Sequence, residues 1–276
     1  MTFVFKTWES FCRSLQARGI FSIPAAEILQ GRKGQFLTLK HDVETDVPKA
    51  YEMAKIEKQY GHRGSYYVQA YLLREEKNLD LLRKMQDMGH EISYHYDVLD
   101  ASHGDLPEAM SSFADNLRLF SASGFEIITL CQHGNPVAER KGYHSNRDFF
   151  RNEEVQRRYP GLADIMVDFP DKAGVQYCYF SDAGRQMKLI FDPLNNDIVK
   201  SDDKDIVLPD LKALDSYIEK ENCIISVHPH RWSATRAAYV LRNGAFSVIR
   251  AVAKLLMKIP FCKKLMSRYF YLAKKL

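Results

Sequence analysis

The sequence predicts an α/β fold in which strands and helices alternate around a largely parallel sheet. Short apolar segments with strand character alternate with segments of helical spacing between residues 36 and 232. Five of the predicted strands deliver His or Asp at their carboxyl ends, and those ends meet on one face of a βα-barrel. The chain has 276 residues, 46% of them hydrophobic, which suffices for one large core. We therefore expect one domain over residues 1–235 and a separate tail over residues 236–276.

The individual elements follow from periodicity and from the residues that begin or end helices. Pro48 opens a helix that Gly61 closes, and Gly124 ends another. The predicted helices cover 8–18, 24–29, 48–60, 79–88, 106–123 and 211–221. The predicted strands cover 36–40, 65–69, 91–95, 125–131, 175–180, 189–193 and 223–227. Residues 143–170 are irregular, and we expect an insertion with short helices there.

Ionisable side chains crowd the ends of these strands. They are His41 and Asp42 with Glu44 and Asp46 nearby, His95 and Asp97, His133, Asp182, and His228 with His230. Such a cluster is costly to bury unless it binds something. Carboxylates and imidazoles that arrive from different strands form the ligand set of a hydrolytic metal site, for which Zn²⁺ is the expected ion.

Several short motifs in this order resemble those of the polysaccharide deacetylases, carbohydrate esterase family four. His41-Asp42 stands where that family has paired aspartates, and Gly89-His90-Glu91-Ile92 with His95 is similar to its second motif, although Leu99 occupies the usual position of a second ligand histidine. Ser181-Asp182-Ala183-Gly184 resembles the fourth motif, and Ile225-Ser226-Val227-His228 the fifth. The resemblance covers residues 36 to 232.

The resemblance implies a distorted (β/α) barrel that removes acyl groups from sugars with a divalent metal. It implies that Asp42 and His95 bind the metal; because Leu99 replaces the usual ligand, we expect His133, which lies at the family's third motif, to complete the ligand set. His41 would then be the general base, Asp182 an orienting residue and His228 the general acid. Asn135, His230 and Trp232 are the expected substrate contacts. Glu44 or Asp46 is an alternative base, and Asp97 an alternative ligand. His90 precedes its strand and is expected to be structural.

Charge is distributed unevenly along the chain. The formal charge is +4, yet all 35 acidic residues lie before residue 222, whereas residues 222–276 contain eleven Lys or Arg. Basic residues and apolar stripes share the tail at helical spacing, which favours two short amphipathic helices on an anionic membrane surface. Packing of the stripes on the barrel or in a dimer is the alternative, and nucleic acid is not an expected partner.

Five scattered cysteines and the absence of a signal-peptide pattern favour a cytoplasmic protein, peripheral on the inner membrane face.

These observations predict a metal-dependent hydrolase that removes an acetyl or formyl group from the nitrogen of an amino sugar. A lipid-linked or nucleotide-linked precursor of a surface polysaccharide is the expected substrate. Two alternatives stay open: a catalytically inactive glycan-binding or scaffold protein in polysaccharide assembly, and a hydrolase of amides that are not sugars.

Overall fold

The computed structural model describes residues 1–135, 138–199 and 204–245. Nine strands form one sheet in the order β5-β4-β3-β2-β1-β9-β6-β7-β8. The strands are β1 (Leu37–Val43), β2 (Ser65–Val68), β3 (Glu91–Tyr96), β4 (Thr129–Gln132), β5 (Ala163–Asp164), β6 (Cys178–Ser181), β7 (Lys188–Leu189), β8 (Ile206–Val207) and β9 (Cys223–Val227). Neighbours from β5 to β6 in this order are parallel, while β7 and β8 add an antiparallel edge. The α/β prediction with a mostly parallel sheet is confirmed.

Helices cover the sheet and connect its strands. They are α1 (Phe5–Ala17), α2 (Ala25–Leu29), α3 (Val47–Gln59), α4 (Glu76–Asp87), α5 (Val98–Ala101), α6 (Leu106–Ala122), α7 (Arg147–Arg151), α8 (Glu153–Arg158), α9 (Phe169–Ala173) and α10 (Asp215–Ile218). Single 3-10 turns cover Ala70–Arg74, Ala183–Arg185, Leu211–Leu214 and Pro229–Arg231. In the described part of the chain, the row of strands ends at β5 and β8 without pairing between them.

The two faces of the sheet differ in chemistry. Side chains alternate along a strand, so Leu37, Leu39 and Val43 of β1 join the apolar core under α1, α3, α4 and α6. The opposite face, which α2 and α9 partly cover, carries buried polar groups. We call it the polar face, and it includes Thr38, Lys40 and Asp42 of β1. This alternation decides which of the predicted site residues meet.

Most predicted elements are confirmed with shifted ends. Strand β1 runs three residues further than expected, so His41 and Asp42 belong to the strand rather than to the loop after it. The predicted helix over 211–221 is a 3-10 turn followed by the single turn α10. The short helices α7 and α8 confirm the expectation of short helices within residues 143–170, whereas β5 in the same region was not predicted.

The tail begins as a helix over residues 236–245. Tyr239 of this helix packs beside Phe3, with ring centroids 6.3 Å apart. Both amphipathic helices predicted for the tail fall within residues 246–276, outside the described residues. Among the helices that the structure describes, none is both long and apolar enough to cross a bilayer.

Candidate metal and catalytic site

Five side chains meet at the carboxyl edge of the parallel strands. They are Asp42, Glu44, His95, His133 and His228, which we call the edge cluster. Potential ligand atoms of Glu44, His95 and His133 lie within 4.8 Å of one another, as do those of Asp42, His95 and Cys131. Strand β1 lies between β2 and β9 in the sheet, so its end is central to this edge. The cluster therefore unites groups that are far apart in sequence.

Asp42 is held by a buried lysine from its own strand. Lys40 and Asp42 are two residues apart and share the polar face, and Lys40 Nζ lies 2.5 and 2.6 Å from the two carboxylate oxygens. Lys40 Nζ also donates to Ser226 Oγ at 3.1 Å. Burial would raise the pKa of Asp42, but Lys40 and the nearby His95 lower it to about 2. Asp42 is thus an ionised carboxylate at neutral pH, fixed by a partner of opposite charge.

His95 is oriented for metal binding through its second nitrogen. Its Nδ1 lies 3.1 Å from the carbonyl oxygen of Cys131, which can only accept, so Nδ1 carries the proton and Nε2 keeps its lone pair. Burial lowers the pKa of His95 to about 3. The imidazole is therefore neutral at physiological pH, the form that binds metals. The His133 ring stands beside it, with centroids 5.2 Å apart.

Glu44 lies between His133 and His228 in the edge cluster. Its Oε1 lies 3.5 Å from His133 Nε2 and 3.7 Å from His228 Nε2. Burial would raise the pKa of Glu44, but the hydrogen bond and charge of His133 lower it well below its usual range. Glu44 is therefore a second ionised carboxylate at this edge.

His228 and Asp182 form a closely bonded pair. His228 Nδ1 lies 2.6 Å from Asp182 Oδ1, and the His228 backbone N–H donates to Oδ2 at 3.0 Å. Arg231 also donates to Asp182 Oδ1, at 2.9 Å. Although burial would raise the pKa of Asp182, the charges of His228 and Arg231 keep it well below its usual value. His228 Nε2 faces Asp42 Oδ2 at 3.8 Å, so this imidazole can move a proton at the edge cluster.

His41 is separated from this cluster by the sheet itself. It follows the alternation of Leu37 and Leu39, is fully buried, and stacks on Tyr66 with ring centroids 4.1 Å apart. Its Nε2 lies 2.7 Å from Glu57 Oε1 on the helix-covered face. The expectation that His41 acts as the base is corrected here, because no reacting group at the edge can touch it.

The three expected substrate contacts have different surroundings. Trp232 is fully buried against Phe3 and Trp8, at 5.1 and 5.2 Å between ring centroids, and so belongs to the core rather than to a binding surface. His230 stands beside His228, with ring centroids 5.8 Å apart. Asn135 follows His133 by two residues, and its carbonyl accepts a hydrogen bond from Arg140 at 2.8 Å.

Sequence reasoning passed over Lys40 and Cys131 and gave Glu44 only an alternative role. The sequence contained the information for Lys40 and Glu44, because positions 40, 42 and 44 of an extended chain point to the same face as one another. The predicted strand ended at residue 40, so this shared face was not recognised. Cys131 had no comparable signal, because a lone cysteine in an apolar strand is an ordinary core residue.

The donors of the edge cluster fit a divalent ion of the Zn²⁺ type. Two imidazoles and one carboxylate from Glu44, His95 and His133 make up the three-ligand set common in catalytic zinc sites. The fixed tautomer of His95 supports this fit.

Comparison with known proteins gave no match: no protein-family model, curated protein or solved structure matches the chain.

Proposed function

We propose that this protein is a metal-dependent hydrolase that removes an N-acyl group, acetyl or formyl, from an amino sugar. The observation that carries the proposal is the edge cluster: two carboxylates and two imidazoles lie beside an imidazole that is hydrogen-bonded to a buried carboxylate. Amide hydrolysis needs a proton acceptor for water, a proton donor for the leaving amine, and stabilisation of the carbonyl oxygen. Groups for the first two tasks are present on this chain.

In this proposal Glu44, His95 and His133 hold the metal. Both oxygens of Asp42 are engaged by Lys40, so Glu44 is the carboxylate better able to serve as a ligand. A divalent ion there would lower the pKa of a water molecule and polarise an acyl carbonyl.

The proton transfers belong to Asp42 and His228. Asp42 is ionised and faces His228 Nε2 at 3.8 Å, and it takes the role of proton acceptor that His41 cannot fill. His228 donates from Nε2 to the departing sugar amine, while Asp182 accepts the hydrogen bond of Nδ1–H and fixes the ring. Lys40 keeps Asp42 ionised and oriented.

The proposal extends to the architecture and to the substrate. Seven parallel strands, from β5 to β6 in the sheet order, would form the wall of a distorted (β/α) barrel that is open between β5 and β6. The motif resemblance and the basic tail support an amino sugar linked to a lipid or nucleotide carrier of a surface polysaccharide.

A second candidate is a glycan-binding protein without catalytic activity. The observation that favours it is Lys40, whose ammonium group lies within 2.6 Å of both Asp42 oxygens and could take the place of a metal cation. Metal content distinguishes the two functions.

The test is elemental analysis after purification without chelator and reconstitution with Zn²⁺, followed by activity on N-acetylated and N-formylated sugars and on N-acetyl amino acids. We expect about one ion per chain in the wild type, strongly reduced in Glu44→Gln and His95→Ala. We expect Asp42→Asn and His228→Gln to keep the ion but lose at least about 100-fold in kcat. Glu126→Gln, at an exposed carboxylate, is the matched control.

Three outcomes would change the assignment. A folded, metal-free wild type would favour the glycan-binding protein. Loss of the ion in Asp42→Asn would return the ligand role to Asp42. Hydrolysis of N-acetyl amino acids alone would replace the sugar substrate.

A further inference from the structure

We propose that the side-chain amide of Gln69 binds the acyl carbonyl oxygen of the substrate. The inference rests on the proposed function, in which the acyl carbonyl oxygen is stabilised as the amide is hydrolysed. It assigns a substrate contact that no sequence motif indicated.

Gln69 occupies the end of β2, between two members of the edge cluster. The strands pair Val43 with Val68 and Val68 with Tyr94, so the next position in register places Gln69 between Glu44 and His95. Its backbone N–H donates to the Val43 carbonyl at 3.2 Å, which keeps it beside β1.

Alternation assigns Gln69 to the polar face. Tyr66 and Val68 lie in the apolar core under the helices, whereas Tyr67 lies on the other face, where Lys40 Nζ is 5.4 Å from its ring centroid. Gln69 has extended backbone angles, φ −69° and ψ 133°, so the alternation continues through it. Gln69, two residues after Tyr67, thus lies on the polar face of the sheet, the face that carries Asp42.

The amide nitrogen of Gln69 is buried without a partner. The residue is 6% exposed, and within the described residues Nε2 has no hydrogen-bond acceptor. Buried donors of this kind are rare in folded proteins and point to a missing ligand. The ligand that suits an N–H donor is an acceptor oxygen.

The two cationic donors near the edge cluster are already engaged. Lys40 Nζ bonds to Asp42 and Ser226, and Arg231 bonds to Asp182. The carboxylate oxygens of Asp42 and Glu44 accept hydrogen bonds and do not supply a donor for this oxygen. The acyl carbonyl oxygen, which the metal would also polarise, is an acceptor that suits the donor on Gln69, and a donor that meets developing negative charge contributes most in the transition state.

The experiment compares Gln69→Leu and Gln69→Glu with Gln132→Leu in the zinc-reconstituted full chain. Gln132 is the matched control because its Oε1 is also unpartnered among the described residues, while alternation along β4 places it on the opposite face from Cys131. Four quantities are measured: bound zinc, thermal unfolding, deacylation kinetics, and affinity for N-acetylglucosamine and for glucosamine, which lacks the acyl carbonyl.

We expect both Gln69 variants to keep zinc. Gln69→Leu should unfold at the wild-type temperature or higher because it removes an unpartnered polar group, whereas Gln69→Glu should unfold at a lower temperature because it buries another carboxylate beside Glu44. Both variants should bind N-acetylglucosamine about 10-fold more weakly, bind glucosamine unchanged, and lose about 100-fold in kcat with a smaller change in KM. Gln132→Leu should resemble the wild type in binding and kinetics.

The outcomes separate this inference from the proposed function. If the wild type binds N-acetylglucosamine through Gln69 but hydrolyses no amide, the inference stands and the hydrolase proposal fails. If both Gln69 variants bind and turn over like the wild type, or if the wild type does not distinguish the two sugars, the assignment of Gln69 is wrong.

Discussion

Glu57 shows how one buried carboxylate can organise several residues. It is fully buried in α3, and it accepts hydrogen bonds from Trp8 Nε1 at 3.0 Å and from Tyr66 OH at 2.9 Å. His41 Nε2 lies 2.7 Å from it. Burial would raise the pKa of Glu57, but the charge and hydrogen bond of His41 lower it. His41 therefore contributes to the core beneath the edge cluster rather than to its chemistry.

We expect Glu57→Ala to lower the free energy of unfolding by about 3–5 kcal/mol, because it leaves buried partners of the carboxylate unpaired. Urea denaturation measures this change. Glu52→Ala, at an exposed position of the same helix, should cost less than about 1 kcal/mol. Equal losses in the two variants would show that Glu57 does not stabilise the fold in this way.

The roles of His41 and Asp42 could have been separated from the sequence alone. In an extended chain His41 shares a face with Leu37 and Leu39, whereas Asp42 shares one with Lys40. The resemblance instead aligned His41 with a catalytic aspartate. Residues 41 and 42 are neighbours in one strand, so their side chains point to opposite faces of the sheet and do not meet at one site. The pairing of His41 with Glu57 was not predictable, because it depends on how α3 packs against β1.

Among the elements, β5 depends on polar anchoring rather than on length. It has two residues, and its Asp164 accepts hydrogen bonds from Tyr96 OH and from the Met166 backbone N–H, both at 2.6 Å. Burial raises the pKa of Asp164 from 3.8 to about 7. The side chain that joins β5 to β3 is therefore protonated in weakly acidic solution.

The sign of the pH dependence follows from this raised pKa. Between pH 4 and 7 the folded state binds the Asp164 proton more tightly than the unfolded state does, so the free energy of unfolding falls as pH rises through this window, by up to about 4 kcal/mol. Denaturation at pH 5 and pH 8 should show about 2–3 kcal/mol of this loss in the wild type and a much smaller loss in Asp164→Asn. Asp115→Asn, at an exposed site, is the control and should lose stability with pH as the wild type does. If the free energy of unfolding of Asp164→Asn depends on pH in the same way as that of this control, the raised pKa of Asp164 is refuted.

The success of sequence reasoning differed between elements for physical reasons. Helices α3 and α6 carry clear periodicity and flanking Pro and Gly, and their predicted ends are within one residue of the observed ones. Strands β5, β7 and β8 have two residues each, too few to show alternation, and the strand predicted over 189–193 overlaps β7 only at Leu189. Their existence depends on neighbours in the sheet, which local sequence does not encode.

At the scale of the whole molecule, charge separates the tail from the rest. Residues 246–276 contain eight Lys or Arg and no Asp or Glu. The helix that leads into this segment exposes Val240 and Leu241, at 60% and 77%. Apolar and basic groups together suit an anionic lipid surface.

We expect the full chain to sediment with phosphatidylglycerol vesicles and not with phosphatidylcholine vesicles, and to dissociate as salt rises to about 0.5 M. Deletion of residues 246–276 should abolish sedimentation without reducing hydrolysis of a water-soluble sugar. A second variant, with the eight basic residues of this segment changed to Gln, keeps the length and removes the charge. Retention of either variant on the vesicles would contradict an electrostatic anchor in the tail.

The position of β1 has a consequence for the order in which the protein is made. Its partner β9 pairs Cys223 with Leu37, a separation of 186 residues, which a ribosome needs roughly 10 to 40 seconds to translate. During that interval one edge of β1 has no strand beside it, and the nascent chain presents an unpaired, apolar edge that other chains can join. His228 is also absent until the ribosome has passed β9. The centre of the sheet and the acid–base pair are thus completed together, only after residues 223–228 have been made, and a chain released before residue 223 would lack both.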